Sequence, residues 1–540
     1  MGAFRAPWSA RWGRHVRSRG SRVVLGGVAV VMAGAVLQLP GRAGASAAAG
    51  PLLGYDPADL GSLSSISRIV GAQGAWAAGY TGAGVDVAVI DTGVAPVPGL
   101  DGVGKVVTGP DLSFDAEGAA TPGLDGFGHG TFMAGLIAGR DAGAAASAAG
   151  CSTCLNSSGY SDTTRYVGIA PDARIVNVKV GAADGAVDVT QVIAAIDWVV
   201  QHAHDPGVNI RIISLSYGTD SAQTSVKDPL AQAAEQAWKH GIVVVAAAGN
   251  DGKAVKRLAD PGYDPYVIAA GGDDPKGSLA TVDDVVPKFA QHGSVNRPVD
   301  VIAPAVHVIG LRVPGSFVDT LAGNTGKVGT RFQRGSGTSQ ATAIVSGIAA
   351  LVVQKYPDAT PDQVKALIND TAMPPVNAEA AGEKVHWGNG IISAAAAITA
   401  ALPAPAAAAQ APDKESKGTG TLDDSRNGVY VTDHGTNLTG EQDIFGQPFN
   451  AKKIAAAQTT ATAWTGGTWN GSRWSGDRWE GSRWSSAAWT GATWAGCRWS
   501  GSRWSTMTWN GSRWSGSGWA GSKWTGAGWD GSRWSTDTTS

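Results

Sequence analysis

The sequence predicts an α/β fold, a parallel β-sheet flanked by helices on both faces, followed by a small β-type or irregular C-terminal region. Three observations carry this. Short, continuous apolar runs alternate with longer helical patterns over more than 300 residues. Isolated polar residues stand just after those runs, at what would be the carboxyl ends of buried strands. Beyond them a tryptophan recurs every five residues to the end of the chain.

The chain has 540 residues, long enough at about 100–200 residues per domain for more than one unit and a large core. With 42 Lys+Arg against 44 Asp+Glu, its net charge of −2 argues against a nucleic-acid partner. The charge is unevenly spread. Residues 1–45 hold seven Arg and no acid, residues 463–540 have a net charge of +4, and the middle is acidic at −13.

In the leader, Arg5 to Arg22 precede an apolar run from Val23 to Leu39 and the small-residue pattern Ala43-Gly44-Ala45. That order reads as a secretory signal peptide over 1–45, cut after Ala45, with residues 46–65 as a short lead segment. The alternative is an uncleaved anchor, for which a run of 17 residues is short. No later stretch is long and apolar enough to span a bilayer, so the expected product is secreted, with no membrane contact after cleavage.

The body extends over 66–400. Strands are expected at Val85–Ile90, Arg174–Val180, Ile210–Leu215 and Ile242–Ala246, and helices at Val189–His202 and Pro229–His240. Asp91 follows the first strand in Asp91-Thr92-Gly93. His129 sits in Gly128-His129-Gly130-Thr131 and opens a buried helix. Ser339 lies in Gly335-Ser336-Gly337-Thr338-Ser339-Gln340, where a second apolar helix begins. Each motif alone is ordinary: a turn, a structural histidine, a helix cap. Together they supply an orienting carboxylate, a base and a nucleophile. The order Asp, His, Ser excludes the α/β-hydrolase order and the chymotrypsin-like order.

In that order, on that type of sheet, the three motifs resemble those of the subtilisin family of serine proteases. Ala247-Ala248-Gly249-Asn250 is similar to the segment carrying that family's oxyanion-hole asparagine. Gly168-Ile169-Ala170-Pro171, Ser214-Leu215-Ser216-Tyr217-Gly218, Ile302-Ala303-Pro304 and Trp387-Gly388-Asn389-Gly390 agree as well. The resemblance implies a secreted serine endopeptidase acting on proteins or peptides, with Asp91, His129 and Ser339 as triad and Asn250 in the oxyanion hole. It implies that Ser216, Tyr217, Gly218, Ala247, Ala248 and Gly249 line a roomy, apolar primary pocket. No cofactor is expected for the chemistry; a structural calcium is common in the family and is left unplaced.

Two departures stand out. Gln340-Ala341-Thr342-Ala343 replaces the family's usual Met-Ala-Ser-Pro after the serine, which implies an altered rate or substrate preference. The stretch between the expected cut and the catalytic motifs is too short for the folded inhibitory pro-domain of many relatives. Cys151 and Cys154 lie in a Gly/Ala/Ser-rich insertion; an exported context favours a local disulfide, with free thiols and a metal site as alternatives.

Residues 401–420 have the Ala/Pro-rich composition of a linker, and 421–462 form a small extension in which Val429 and Val431 alternate as in a strand. In the tail, 463–540, Trp occurs at 464 and every fifth residue to 534, fifteen times. A helix would step successive tryptophans about 140° around its axis. Asn-Gly, Ser-Gly and Asp-Gly are two-residue hairpin turns, so the expectation is a meander or solenoid of three-residue strands, each ended by a Trp. The tail is similar to Trp-rich repeats on some subtilase-like proteins of actinobacteria. It reads as either a self-stacked spacer or a surface for cell wall, glycan or protein. The opposing reading of the whole is therefore a cell-surface or glycan-binding protein with a vestigial protease fold.

Overall fold

The computed structural model describes residues 56–116, 123–141, 165–375, 384–410, 415–433, 436–474 and 479–480. The leader, Cys151, Cys154 and the repeats beyond Trp479 lie outside these residues. The chain divides at Ala49, and everything below concerns the unit that follows.

Two short helices, α1 (Leu63–Ile69) and α2 (Ala72–Ala77), lead into strand β1 (Asp86–Asp91). β2 (Val106–Asp111), helix α3 (His129–Ala138), β3 (Arg174–Lys179), α4 (Val189–His202), β4 (Ile210–Leu215), α5 (Pro229–Lys239) and β5 (Val243–Ala247) follow. β6 (Ile268–Asp273) and β7 (Val301–Pro304) complete a seven-stranded parallel sheet in the order β2-β3-β1-β4-β5-β6-β7. A smaller antiparallel sheet joins β8 (Val308–Leu311), β9 (Lys327–Val328) and β10 (Phe332–Gly335), with α6 (Phe317–Ala322) between its strands. The long helix α7 (Thr338–Lys355) and α8 (Pro361–Asp370) come next.

The sheet forms because its strands are β-branched and apolar on both sides. Every residue of β1, β5, β6 and β7 is buried, as a parallel sheet covered on both faces requires. Helix starts are written in side chains. Asp188 caps α4 and shares a capping box with Gln191; Asp228 caps α5, with Pro229 in its first turn. α7 is apolar nearly all round because it packs across β4, β5, β6 and β7. Among the described residues, no helix is long and apolar enough to cross a membrane.

The segment expected as a linker packs on this body as far as it is described. Ala408 is buried, the Ser416 N–H donates to the Glu235 carboxylate (2.6 Å), and Gly418 lies against the Gln232 side chain. Its small side chains allow close approach, and polar groups of α5 satisfy its backbone. The alternating Val429 and Val431 are buried, but the nearest strand pairing is Thr432–Asp433 with Thr436–Asn437. A helix, Ala451–Thr459, leads into the repeat. There, strands at Trp464–Thr465, Thr468–Trp469, Ser472–Trp474 and Trp479–Glu480 form an antiparallel meander. Gly466-Gly467 and Asn470-Gly471 make its first two turns, and Trp464 pairs with Trp469 across the first.

Trp469 donates its indole N–H to the buried Asp197 carboxylate on α4 (2.8 Å). Burial pushes Asp197 up to about 7, opposed by that N–H. Between about pH 4 and 7 the folded state thus holds a proton the unfolded chain has released, and stability falls as pH rises. Asp197→Asn keeps an acceptor and removes the titration. It should raise the melting temperature at pH 8 by a few degrees and leave it unchanged at pH 4, read by thermal unfolding across that range.

Candidate active site

Asp91 is the last residue of β1 and is buried. Its carboxylate accepts from the Thr92 N–H (2.7 Å) and faces the His129 Nδ1, with the two oxygens at 2.6 and 2.7 Å. A carboxylate can only accept, so Nδ1 carries the proton and Nε2 is the basic nitrogen.

Gly130, Thr131, Asp125 and Thr92 fix the start of α3 against the end of β1. α3 begins at His129, and Gly130 stands where a Cβ would lie 2.1 Å from the Gly93 carbonyl oxygen and 3.1 Å from an Asp91 oxygen. Only a glycine lets the helix start press so close to the strand end. The Thr131 hydroxyl accepts from the Ala95 N–H (2.8 Å), tying the first turn of α3 to the loop after β1. Gly128, the residue before the helix, offers no side-chain cap. Asp125 supplies one, accepting from the N–H groups of Gly128 (2.6 Å) and Thr131 (2.8 Å). The Thr92 hydroxyl donates to Asp125 (2.8 Å) and accepts from the Gly130 N–H (2.9 Å).

Charges behind the pair are buried too. Lys179, at the end of β3, donates to Asp115 (3.0 Å) and to the carbonyls of Leu124 (2.8 Å) and Thr92 (3.2 Å). Burial opposes its charge, but Asp115 and Asp111 outweigh it and hold its ammonium above the usual range. Burial pushes His129 well below its usual value, against the pull of the Asp125 charge, so the resting imidazole is neutral. Burial pushes Asp91 up, opposed by the Thr92 N–H.

Ser339 lies in the first turn of α7, buried with its neighbours Thr338 and Gln340. The loop before it hangs from β7, the Gly337 N–H donating to the Ala305 carbonyl (2.8 Å). Asn250 follows β5, and its Oδ1 accepts from the Thr338 N–H (2.9 Å) and hydroxyl (3.1 Å). That hydroxyl accepts in turn from the Gly249 N–H (3.2 Å). Thr338 thus holds the amide oxygen of Asn250 and fixes the orientation of its side chain. The Ser216 hydroxyl donates to the Ser339 carbonyl (3.2 Å). α3 packs against α7, so the helix starts bearing His129 and Ser339 belong to neighbouring elements at the carboxyl side of the sheet.

The expected pocket residues flank this point, with Ser216, Tyr217, Ala247 and Ala248 buried. The space beside two of them is filled by the protein itself. A Cβ on Gly249 would lie 1.9 Å from the Gln291 amide oxygen, and one on Gly218 would lie 2.8 Å from the Ala259 Cβ. Asp125, Thr92, Thr338 and Lys179 escape a reading of motifs. An acid four residues before a histidine looks like a turn residue, and a threonine before a serine looks like a helix cap. Only the fold shows what they hold.

Residues 82–391 match the model of the subtilase family. The chain belongs to the subtilase family. It is 37% identical over 297 residues to serine protease AprX of Bacillus subtilis, covering 54% of this chain and 61% of that one. It is 30% identical over 323 residues to subtilisin DY of Bacillus licheniformis, covering 59% of this chain and 93% of that one. Among solved structures it is similar to fervidolysin of Fervidobacterium pennivorans, at 26% identity and a TM-score of 0.49, covering 65% of this chain and 48% of that one. The family match and the identity to AprX and subtilisin DY make it a serine endopeptidase. The match ends at residue 391, before the extension and the repeat.

The closeness of α3 to β1 is testable. Gly130→Ala should leave the protein folded by circular dichroism but lower kcat/KM on a peptide substrate at least about 10²-fold, the cost of displacing a reacting group by about 1 Å. Wild-type turnover in this variant would contradict the packing argument.

Proposed function

We propose that this subtilase is an exported endopeptidase whose triad is Asp91, His129 and Ser339, with Asn250 and the Ser339 backbone N–H as oxyanion donors. The single observation that carries this is the His129–Asp91 contact at 2.6 Å. It supplies a neutral, oriented base on the helix next to the one that presents Ser339. In this mechanism Ser339 Oγ attacks the scissile carbonyl while His129 Nε2 takes its proton and later returns it to the leaving amine. Asp91 holds the tautomer and stabilises the imidazolium as it forms. The oxygen of the tetrahedral intermediate is met by Asn250, whose orientation Thr338 fixes. The acyl-enzyme then yields to water by the same steps in reverse.

The substrates are proteins or peptides. In this reading Ser216–Gly218 and Ala247–Gly249 line the primary pocket on the sides not occupied by Ala259 and Gln291, and their small or apolar character favours large apolar residues before the cleaved bond. Nothing in the chemistry requires a cofactor. A structural calcium is in keeping with the family, and among the described residues no group of three or more His, Cys, Asp or Glu side chains is placed to hold a metal.

Covalent labelling tests the core of this reading. A fluorophosphonate should label the wild type and fail on Ser339→Ala. Asn250→Ala should lower kcat by about 10²–10³, the loss known for the corresponding asparagine of subtilisin itself. An unlabelled wild type would favour a binding protein on a protease scaffold.

Export follows from the leader. The mature chain begins at Ser46, its parts being a short lead segment (46–65), the catalytic body (66–400), the Ala/Pro-rich stretch (401–420), the extension (421–462) and the repeat tail (463–540). Later tryptophans of the tail are the part that can face cell wall or glycan. Mass spectrometry of the N-terminus in medium and wall fractions should find Ser46; a chain retaining Arg5–Arg22 in both fractions would defeat this.

A further inference from the structure

The outer helices of the sheet carry four buried acids: Asp188 and Asp197 on α4, Asp228 and Glu235 on α5. An acid on the outer face of a domain is ordinarily solvated, and burying it costs heavily without donors. The body supplies some donors, Thr190 to Asp188, Ser221 and Leu230 to Asp228 and Lys239 to Glu235, and for each of the four a further donor comes from the segment after residue 415. Arg426 is itself buried and grips Asp188 with Nε (2.8 Å) and Nη2 (3.2 Å). Its remaining N–H groups reach the carbonyls of Gly440 and Gln442, both at 2.8 Å, and Asp423 at 3.2 Å. The Ser425 hydroxyl donates to Asp228 (2.8 Å), the Ser416 N–H to Glu235 (2.6 Å) and the Trp469 indole to Asp197 (2.8 Å).

The same face carries apolar contact. Leu422, Val431, Leu438, Phe445, Ile454, Trp464 and Trp469 are all buried in one core with the catalytic body. Trp464 adds an indole bond to the Ala194 carbonyl (2.9 Å), and its backbone pairs with both ends of the Gln201 amide. All these donors lie beyond residue 391, where the family match ends.

The contacts also reach toward the active site. Asp188 closes the loop 182–187 that follows β3. The Ala222 N–H donates to the Asp424 carbonyl (2.8 Å), and the Asn427 amide donates to the Asp220 carbonyl (2.9 Å). Residues 219–222 follow Ser216–Gly218 directly. One segment therefore contacts the chain after β3, at Asp188, and the chain after β4, at residues 219–222, the two strands that flank β1.

We infer that residues 415–474 are an obligate clamp on the α4–α5 face, completing the catalytic body, and that the first two tryptophans of the repeat are its anchor. The occupant of this face is the chain's own extension. The division of the tail follows: Trp464 and Trp469 are turned inward, so any external partner is left to the later repeats. An active mature enzyme keeps its chain at least through Trp469.

The test uses the full chain and no activity, so it stands apart from the reading of Ser339. Trp469→Phe keeps a ring and deletes the N–H that meets Asp197; Trp494→Phe makes the same change in a later repeat. Trp469→Phe should speed hydrogen exchange in α4 and in residues 182–188 at least tenfold and lower the melting temperature, while Trp494→Phe changes neither. Replacing both partners, Trp469→Phe with Asp197→Leu, should recover most of the loss, because no buried acid is then left without its donor. Should Trp469→Phe not accumulate, folded protein from the double variant supports the clamp. Identical exchange and melting in the two single variants overturns the inference, and so does a double variant no better than Trp469→Phe.

Discussion

The contact on which the site depends is the one between Asp91 and His129. It joins the end of β1, an interior strand of the sheet, to the start of α3 at a distance of 2.6 Å. A strand end and a helix start approach this closely only if nothing projects between them, which is the condition Gly130 meets. Thr92 then completes the seam, donating to Asp125 and accepting from the helix backbone. The proposed base is held by backbone geometry more than by its own side-chain packing.

A second constraint follows from burial. Asp91, Asp111, Asp125, His129 and Lys179 are all buried within a few residues of one another. Such a cluster holds together only when each charge has a partner, since removing one partner strands the rest. The donors here are backbone N–H groups of the loops and of the start of α3, Thr92 for Asp91, Gly123 and Ser113 for Asp111, Gly128 and Thr131 for Asp125, with one lysine from β3. That arrangement fixes the positions of the ionisable groups before any substrate arrives, which is the form of preorganisation that electrostatic catalysis requires.

The sheet was legible in the sequence because its strands are continuous apolar runs and its helices have capped starts. The expected α4 coincides with the helix observed, Val189–His202, because Asp188 and Gln191 spell out its cap. The candidate residues were legible because glycine surrounds them: Gly128 and Gly130 at the histidine, Gly335 and Gly337 at the serine. What escaped were partners far apart in the chain. Asn250 and Thr338 are bonded across 88 residues, and Arg426 meets Asp188 across 238. No periodicity or local motif encodes such pairs. The Ala/Pro-rich stretch after residue 400 misled for a related reason: composition reports what a segment can bury by itself, not what a neighbour can bury with it.

The tail shows the same principle at larger scale. The hairpin reading of the five-residue repeat rested on local turn chemistry; the second turn, Asn470-Gly471, follows it, whereas the first is Gly466-Gly467 and Trp464 and Trp479 begin their strands instead of ending them. The role of the first tryptophans could not be read that way, because an indole N–H acquires meaning only from what it meets. In the fold, Trp469 meets Asp197 and Trp464 meets the backbone of the same helix. A repeat so placed has a fixed end and a direction. Its attachment to the catalytic body is made on α4, where the Trp464 indole meets the Ala194 carbonyl and the Trp469 indole meets Asp197, one helical turn apart.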